Sequence, residues 1–104
     1  MRVIARGTLL RFVATTRGPK ALKAALNAWF HEAQRAKWHS SADVKRDYGT
    51  ASIISSDRVV FNIKGNDYRL VTAIDYERQI VFIKWVGSHR EYDKIDAGTV
   101  KYGD

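Results

Sequence analysis

Residues 58–96, RVVFNIKGNDYRLVTAIDYERQIVFIKWVGSHREYDKID, decide how this chain folds. Side chains alternate along two runs: Val59, Phe61 and Ile63 with Arg58, Val60 and Asn62, then Tyr68, Leu70, Thr72 and Ile74 with Arg69, Val71 and Ala73. Period two is the signature of a strand with two unlike faces. Between these runs Lys64-Gly65-Asn66-Asp67 supplies turn residues for a hairpin, and Asp75-Tyr76-Glu77-Arg78-Gln79 makes a second reversal. Residues 80–86 are the most apolar run, broken by one charge, Lys84, and suit a central strand. After Gly87, Ser88 and Glu91 have capping-box spacing, which predicts a one- or two-turn helix carrying His89, Arg90 and Tyr92. His89 and Tyr92, three apart, then share a face.

Upstream the period is that of helices. Residues 2–5 suit a short strand around Val3 and Ile4. Thr8 is placed to cap a helix over Leu9, Leu10, Phe12 and Val13 that ends near Thr16, before the break at Arg17-Gly18-Pro19. Pro19 suits the first turn of a second helix, where its missing N–H is no loss. In that helix Leu22, Leu26, Trp29 and Ala33 recur at i, i+4, i+7 and i+11, widened by Ala25 and Phe30, so one face is made to lie on a sheet. The pattern fades at Trp38-His39. Ser40 and Asp43 then cap a short third helix over 44–48, with Gly49 as its left-handed terminator. Residues 97–104 read as a polar tail with little to anchor it.

Helices first and a meander after predict a single α+β domain over residues 1–104. N-terminal helices pack on one face of a small antiparallel sheet, in the order β-α-α-(α)-β-β-β with a short C-terminal helix. Arg58, Asn62, Arg69 and Lys84 are the polar side chains best placed to line the open face or its rim.

One compact core is what 104 residues with 45% hydrophobic content support. The absence of cysteine excludes disulfides and thiolate metal sites and is compatible with a reducing cytosol. Arg6 and Arg11 interrupt the N-terminal apolar residues, so that stretch reads as neither a signal peptide nor a membrane span. The expectation is a soluble cytoplasmic protein with no membrane partner.

Charge is unevenly spread. The net charge is +7, yet residues 1–49 hold 10 Lys/Arg against 3 Asp/Glu, and residues 50–104 hold 8 against 8. Within residues 1–23, Arg2, Arg6, Arg11, Arg17, Lys20 and Lys23 stand with no acid at all. Such a run repels itself, so an anionic partner explains it better than a merely solvated helix face does.

Two strings, Phe61-Asn62-Ile63-Lys64-Gly65-Asn66-Asp67-Tyr68-Arg69-Leu70 and Val86-Gly87-Ser88-His89-Arg90-Glu91-Tyr92-Asp93-Lys94-Ile95, closely resemble the HigB-type toxins of the wider RelE-like superfamily. The opening Met1-Arg2-Val3-Ile4 and the Trp38 region also fit, so the likeness spans most of the chain. The resemblance implies a compact microbial ribonuclease-like fold and a toxin that cuts mRNA without a metal, usually on the translating ribosome. It also implies a cognate antitoxin bearing a helix-turn-helix DNA-binding domain, with operator DNA reached only through that antitoxin. Catalytic residues diverge across the superfamily, so roles within it are set from the residues themselves.

RNA carries its own nucleophile, the 2′-OH beside the scissile phosphate. A protein has to remove that proton, steady the charge on phosphorus and assist the leaving 5′-oxygen. His89 is the candidate for proton transfer, since imidazole titrates near neutrality. Tyr92 can orient the phosphate, donate a proton or stack a base. Arg69 is the candidate for charge stabilisation, against the alternative of a strand-face pair with Asp67, Asp75 or Glu91. Lys84, Lys64, Asn62 and Lys94 near the sheet, and Lys20 and Lys23 on the second helix, are candidate RNA contacts. Gly65 and Asn66 need nothing beyond turn geometry.

Other chemistries lack support. His31, His39 and His89 are not spaced with carboxylates as metal ligands, so neither metal nor cofactor is expected. The seven glycines are scattered singly, and no GxSxG occurs. Two other readings stay open: a non-catalytic RNA-binding module, or an inactive toxin homologue that engages only its antitoxin or operator DNA.

Overall fold

In the computed structural model, which describes residues 1–16 and 18–100, the predicted hairpins form the middle of a five-stranded sheet. The elements run β1 (Arg2–Ile4), α1 (Arg6–Thr16), α2 (Lys20–Arg35), α3 (Ser41–Asp47), β2 (Ser52–Ile53), β3 (Arg58–Ile63), β4 (Tyr68–Asp75), β5 (Ile80–Ser88) and α4 (His89–Tyr92). Strand order is β1-β5-β4-β3-β2. β2, β3, β4 and β5 pair antiparallel, but β1 lies parallel to β5 with Val3 opposite Val81. The sheet is therefore mixed, because the chain returns to β1's side only after three helices and three further strands.

One face is covered by helices. Leu22, Leu26, Trp29, Phe30 and Ala33 of α2 are buried against Val59, Phe61, Ile63, Leu70, Ile74, Val81, Ile83 and Val86. Phe61 is the hub, with ring centroids 5.4 Å from Trp29, 5.9 Å from Trp38 and 5.1 Å from Tyr48. The stripe read from the sequence is thus the buried stripe of α2, and each of those rings removes a large apolar area from water.

The alternation of β5 does not run through unbroken. Val71 pairs with Trp85 and Thr72 with Ile83, so Lys84 is an extra residue in the ladder. A bulge of this kind re-aims the side chains beyond it. Ile83 and Val86 both serve the helix-side core, while Trp85 joins Val60, Val71 and Ala97 on the outer face, with Tyr92, Ile95 and Val100 packed around them.

Several local expectations shift. α1 begins at Arg6, ahead of Thr8. Pro19 is the N-cap of α2 rather than its first residue. Ser40 caps α3 without a side-chain bond; instead the Asp43 carboxylate accepts the backbone N–H of His39 at 2.8 Å. α3 ends at Asp47 and Gly49 is not left-handed; among the described glycines only Gly65 has positive φ, at 63° beside Lys64 at 53°. That pair makes the tight reversal between β3 and β4, where glycine relieves the steric cost. Residues 97–100 are anchored, because Arg58 Nη1 donates to the carbonyls of Ala97 at 3.4 Å and Val100 at 2.6 Å. Arg17 and residues 101–104 lie outside the described residues, so the charge assigned to Arg17 and the end of the tail have no structural counterpart here.

No helix among the described residues is long and apolar enough to cross a membrane.

Candidate active site

The start of β4 and the end of β5 lie side by side, with Tyr68 opposite Ser88 and Arg69 opposite Gly87. The chain turns there into α4. Both halves of the capping box are made: Ser88 N–H donates to Glu91 Oε1 at 3.0 Å, and Glu91 N–H donates to Ser88 Oγ at 3.2 Å. The His89 backbone N–H donates to the Asp67 carbonyl at 2.9 Å, which ties α4 to the β3–β4 turn. Two local motifs legible in the sequence therefore bring residues twenty positions apart together.

Arg69 is at the centre. Its side chain is buried, with the residue 9% exposed. Nη1 donates to the carbonyl of Asn66 at 3.0 Å and Nη2 to Asn66 Oδ1 at 2.8 Å. Nη2 also lies 2.7 Å from His89 Nδ1. Arginine has donors only, so Nδ1 is the accepting nitrogen and the ring hydrogen sits on Nε2. Nε2 is 3.9 Å from Asp93 Oδ2. The Tyr92 ring centroid is 5.9 Å from Arg69 Cζ, and Trp85 stands 6.3 Å from Tyr92.

Among the described residues no carboxylate forms an ion pair with Arg69. The pairing with Asp67, Asp75 or Glu91 considered from the sequence is not made. Asp67 is held instead by Lys64 at 2.8 Å, and each partner displaces the other: the hydrogen bond to Lys64 lowers the Asp67 pKa, and that to Asp67 raises the Lys64 pKa. A buried cation whose fork is met only by neutral acceptors remains a strong attractor for an anion. Beside it, Asn66, Asp67, Tyr68, Ser88, His89 and Arg90 line an open cavity of about 420 Å³.

The remaining candidates distribute as follows. Asn62 sits directly across the ladder from Arg69, half-buried. Lys94 is exposed just beyond α4, and Lys20 and Lys23 are exposed on α2. Lys84 does not join the group: its Nζ lies 5.3 Å above the Phe82 ring, and it lines a separate cavity of about 570 Å³ with Asp57, Arg58, Asp75 and Glu77. Lys84 stands at the Val71–Thr72 step of the ladder, whereas Arg69 lies opposite Gly87, so the two are separated along the strands. Asn66, set aside in the sequence as turn geometry, proves to be the main holder of Arg69. Its signal was the three-residue spacing from an arginine inside a turn.

Among the described residues no group of three or more His, Asp or Glu side chains is placed to hold a metal ion.

Residues 22–95 match the HigB_toxin family, described as the RelE-like toxic component of a toxin-antitoxin system. No curated protein matches the chain.

Proposed function

The chain belongs to the HigB_toxin family and is a toxin of a toxin–antitoxin system with an antitoxin as its partner; from that premise we propose that it is a metal-independent endoribonuclease cutting mRNA during translation. The observation that carries this reading is the buried Arg69 guanidinium, without a carboxylate and in contact with His89. A phosphodiester supplies the missing anion, and planar two-oxygen recognition is what a guanidinium does best.

In the proposed reaction Arg69 turns Nη2 from His89 onto a phosphoryl oxygen. Nδ1 is then free to take the 2′-OH proton as the 2′-oxygen attacks phosphorus. Asp93, facing Nε2, stabilises the imidazolium that forms. The P–O5′ bond breaks, Tyr92 gives its phenolic proton to the leaving oxygen, and a 2′,3′-cyclic phosphate remains. Proton transfer of this kind contributes about 10²–10⁴-fold. Lys64, Asn62 and Lys94 flank the message, and Lys20 and Lys23 with the N-terminal arginines hold RNA backbone, including that of the ribosome. The antitoxin carries the helix-turn-helix domain and connects the toxin to operator DNA. The setting is the cytoplasm, and Lys84 lies outside the reacting centre.

Purified wild-type protein added to a translating extract tests this. Fragments ending in 2′,3′-cyclic phosphate are expected. Intact messages, with the protein still bound to RNA, would replace an enzyme by a binding module.

A further inference from the structure

A second cleft opens on the other side of the α4 cap. It has a volume of about 370 Å³ and lies between α1 and the end of β5, lined by Thr8, Arg11, Phe12, Thr15, Thr16, Trp85, Val86 and Glu91. The cap joins it to the cavity of His89, since Ser88 lines one and Glu91 the other and the two are hydrogen-bonded.

Its walls have a consistent polarity. Thr15 Oγ1 donates to the Arg11 carbonyl at 2.9 Å and Thr16 Oγ1 to the Phe12 carbonyl at 2.8 Å. Each hydroxyl hydrogen is committed to the helix backbone, so toward the cleft these oxygens accept. Glu91 uses Oε1 for the Ser88 N–H, and Oε2 has no protein partner among the described residues. Acceptors thus face the cleft from α1 and α4, with Arg11 as the cation at the rim. The aromatic wall is Trp85, held in place by a special neighbour: a Cβ at Gly87 would run into the indole ring. Trp85 is half-buried, whereas Trp29 and Trp38 are 2% and 1% exposed.

We propose that this cleft binds one nucleobase of the RNA next to the scissile phosphate, stacked on Trp85, and favours bases bearing an exocyclic amino group over uracil. The inference rests on the ribonuclease reading for its position in the reaction. The chemistry is complementary: adenine, cytosine and guanine each present an exocyclic amino donor to the Glu91 and threonine oxygens, whereas uracil has carbonyls there and only its ring N3–H to donate. Indole stacking is indifferent to base identity, so it supplies affinity while the acceptors supply choice. The volume lies at the small end of ligand sites, which suits one base rather than a helix or strand of a partner protein.

Tryptophan fluorescence tests it directly, because Trp85 is the accessible reporter. Uncleavable 2′-O-methyl trinucleotides of A, C, G or U are titrated into the intact protein. Quenching is expected with A, C and G, with UUU weaker by about tenfold. Trp85→Leu should abolish the quench and weaken binding of a dye-labelled AAA by about tenfold, with Trp85→Phe restoring most of the affinity. Glu91→Gln keeps the cap, since glutamine serves at that position, but turns an acceptor into a donor and should narrow or reverse the preference against uracil. Equal quenching by all four trinucleotides, or undiminished binding by both Trp85 variants, overturns the proposal. Because no cleavage is needed, base-selective quenching by a protein that cuts no message would sustain the cleft and remove only the ribonuclease reading.

Discussion

Nη2 of Arg69 stands 2.7 Å from Nδ1 of His89. A permanent cation is thereby held on the lone pair of the one imidazole at the site, and Asn66 accepts two further bonds from the same guanidinium through its carbonyl and its Oδ1. An ammonium cannot span those three acceptors at once. Arg69→Lys is expected to cut RNA about 10²–10³-fold more slowly and to lose about 1–3 kcal/mol of stability, read by fragment yield and by denaturant melting. Wild-type cutting by this variant would remove Arg69 from the phosphate.

His89 is different, because its side chain is 46% exposed, so water can take over its bond to Arg69. His89→Ala should keep stability within about 0.5 kcal/mol, retain RNA binding, and lose about 10²–10⁴-fold in cleavage. If cells expressing it stop growing as they do with wild type, the proton-transfer role is gone.

Tyr92→Phe separates hydroxyl from ring. Packing against Ile95 and Trp85 in the outer cluster survives, so the melting temperature should hold while cleavage falls by about 10²-fold. An RNA analogue with a sulfur leaving group, which needs no proton, should restore the rate; failure of that rescue would assign Tyr92 to packing.

Lys20 and Lys23 are exposed on α2. Reversing both to glutamate should weaken RNA or ribosome association and reduce the log–log salt slope by about one or more. An unchanged slope would show that this end of the helix faces something other than phosphate.

Tyr48 gives the fold an alkaline weakness. Burial first, then a hydrogen bond to Glu32, raises its pKa well above the ordinary 10.0. The folded state therefore keeps the proton where the unfolded chain releases it. The contribution is whole below pH 10 and drains away as pH rises beyond it. Tyr48→Phe should be less stable at neutrality by about 0.5–1.5 kcal/mol yet lose less between neutrality and high pH. Tyr76, raised by burial and then by Asp57 and Asp43, and Lys64, raised by Asp67, contribute to the slope that remains. Parallel stability curves for the two proteins would show that Tyr48 is not the sensor.

What could be read in advance was local. The Lys64-to-Asp67 turn, the Ser88/Glu91 box and the Leu22-to-Ala33 stripe each announce themselves within a dozen residues, and together they place His89 near Arg69. The pairing of β1 with β5 spans almost the whole chain, and β2 has two exposed residues, so neither leaves a periodic trace. Lys84 shares the open face with Arg58, as its position in β5 suggested, but it stands at the Val71–Thr72 step, away from the Arg69–Gly87 pair. Trp85 was missed because the extra residue at Lys84 turns it outward, where a side chain at Gly87 would collide with it.

The grip of Arg58 on the carbonyls of Ala97 and Val100 has an effect on traffic across the sheet. The protein already wears its own C-terminal segment as a garment over Val60 and Val71. Any foreign chain that settles on that surface does so by exchange rather than addition, and a guest arriving there must wait for the resident to lift.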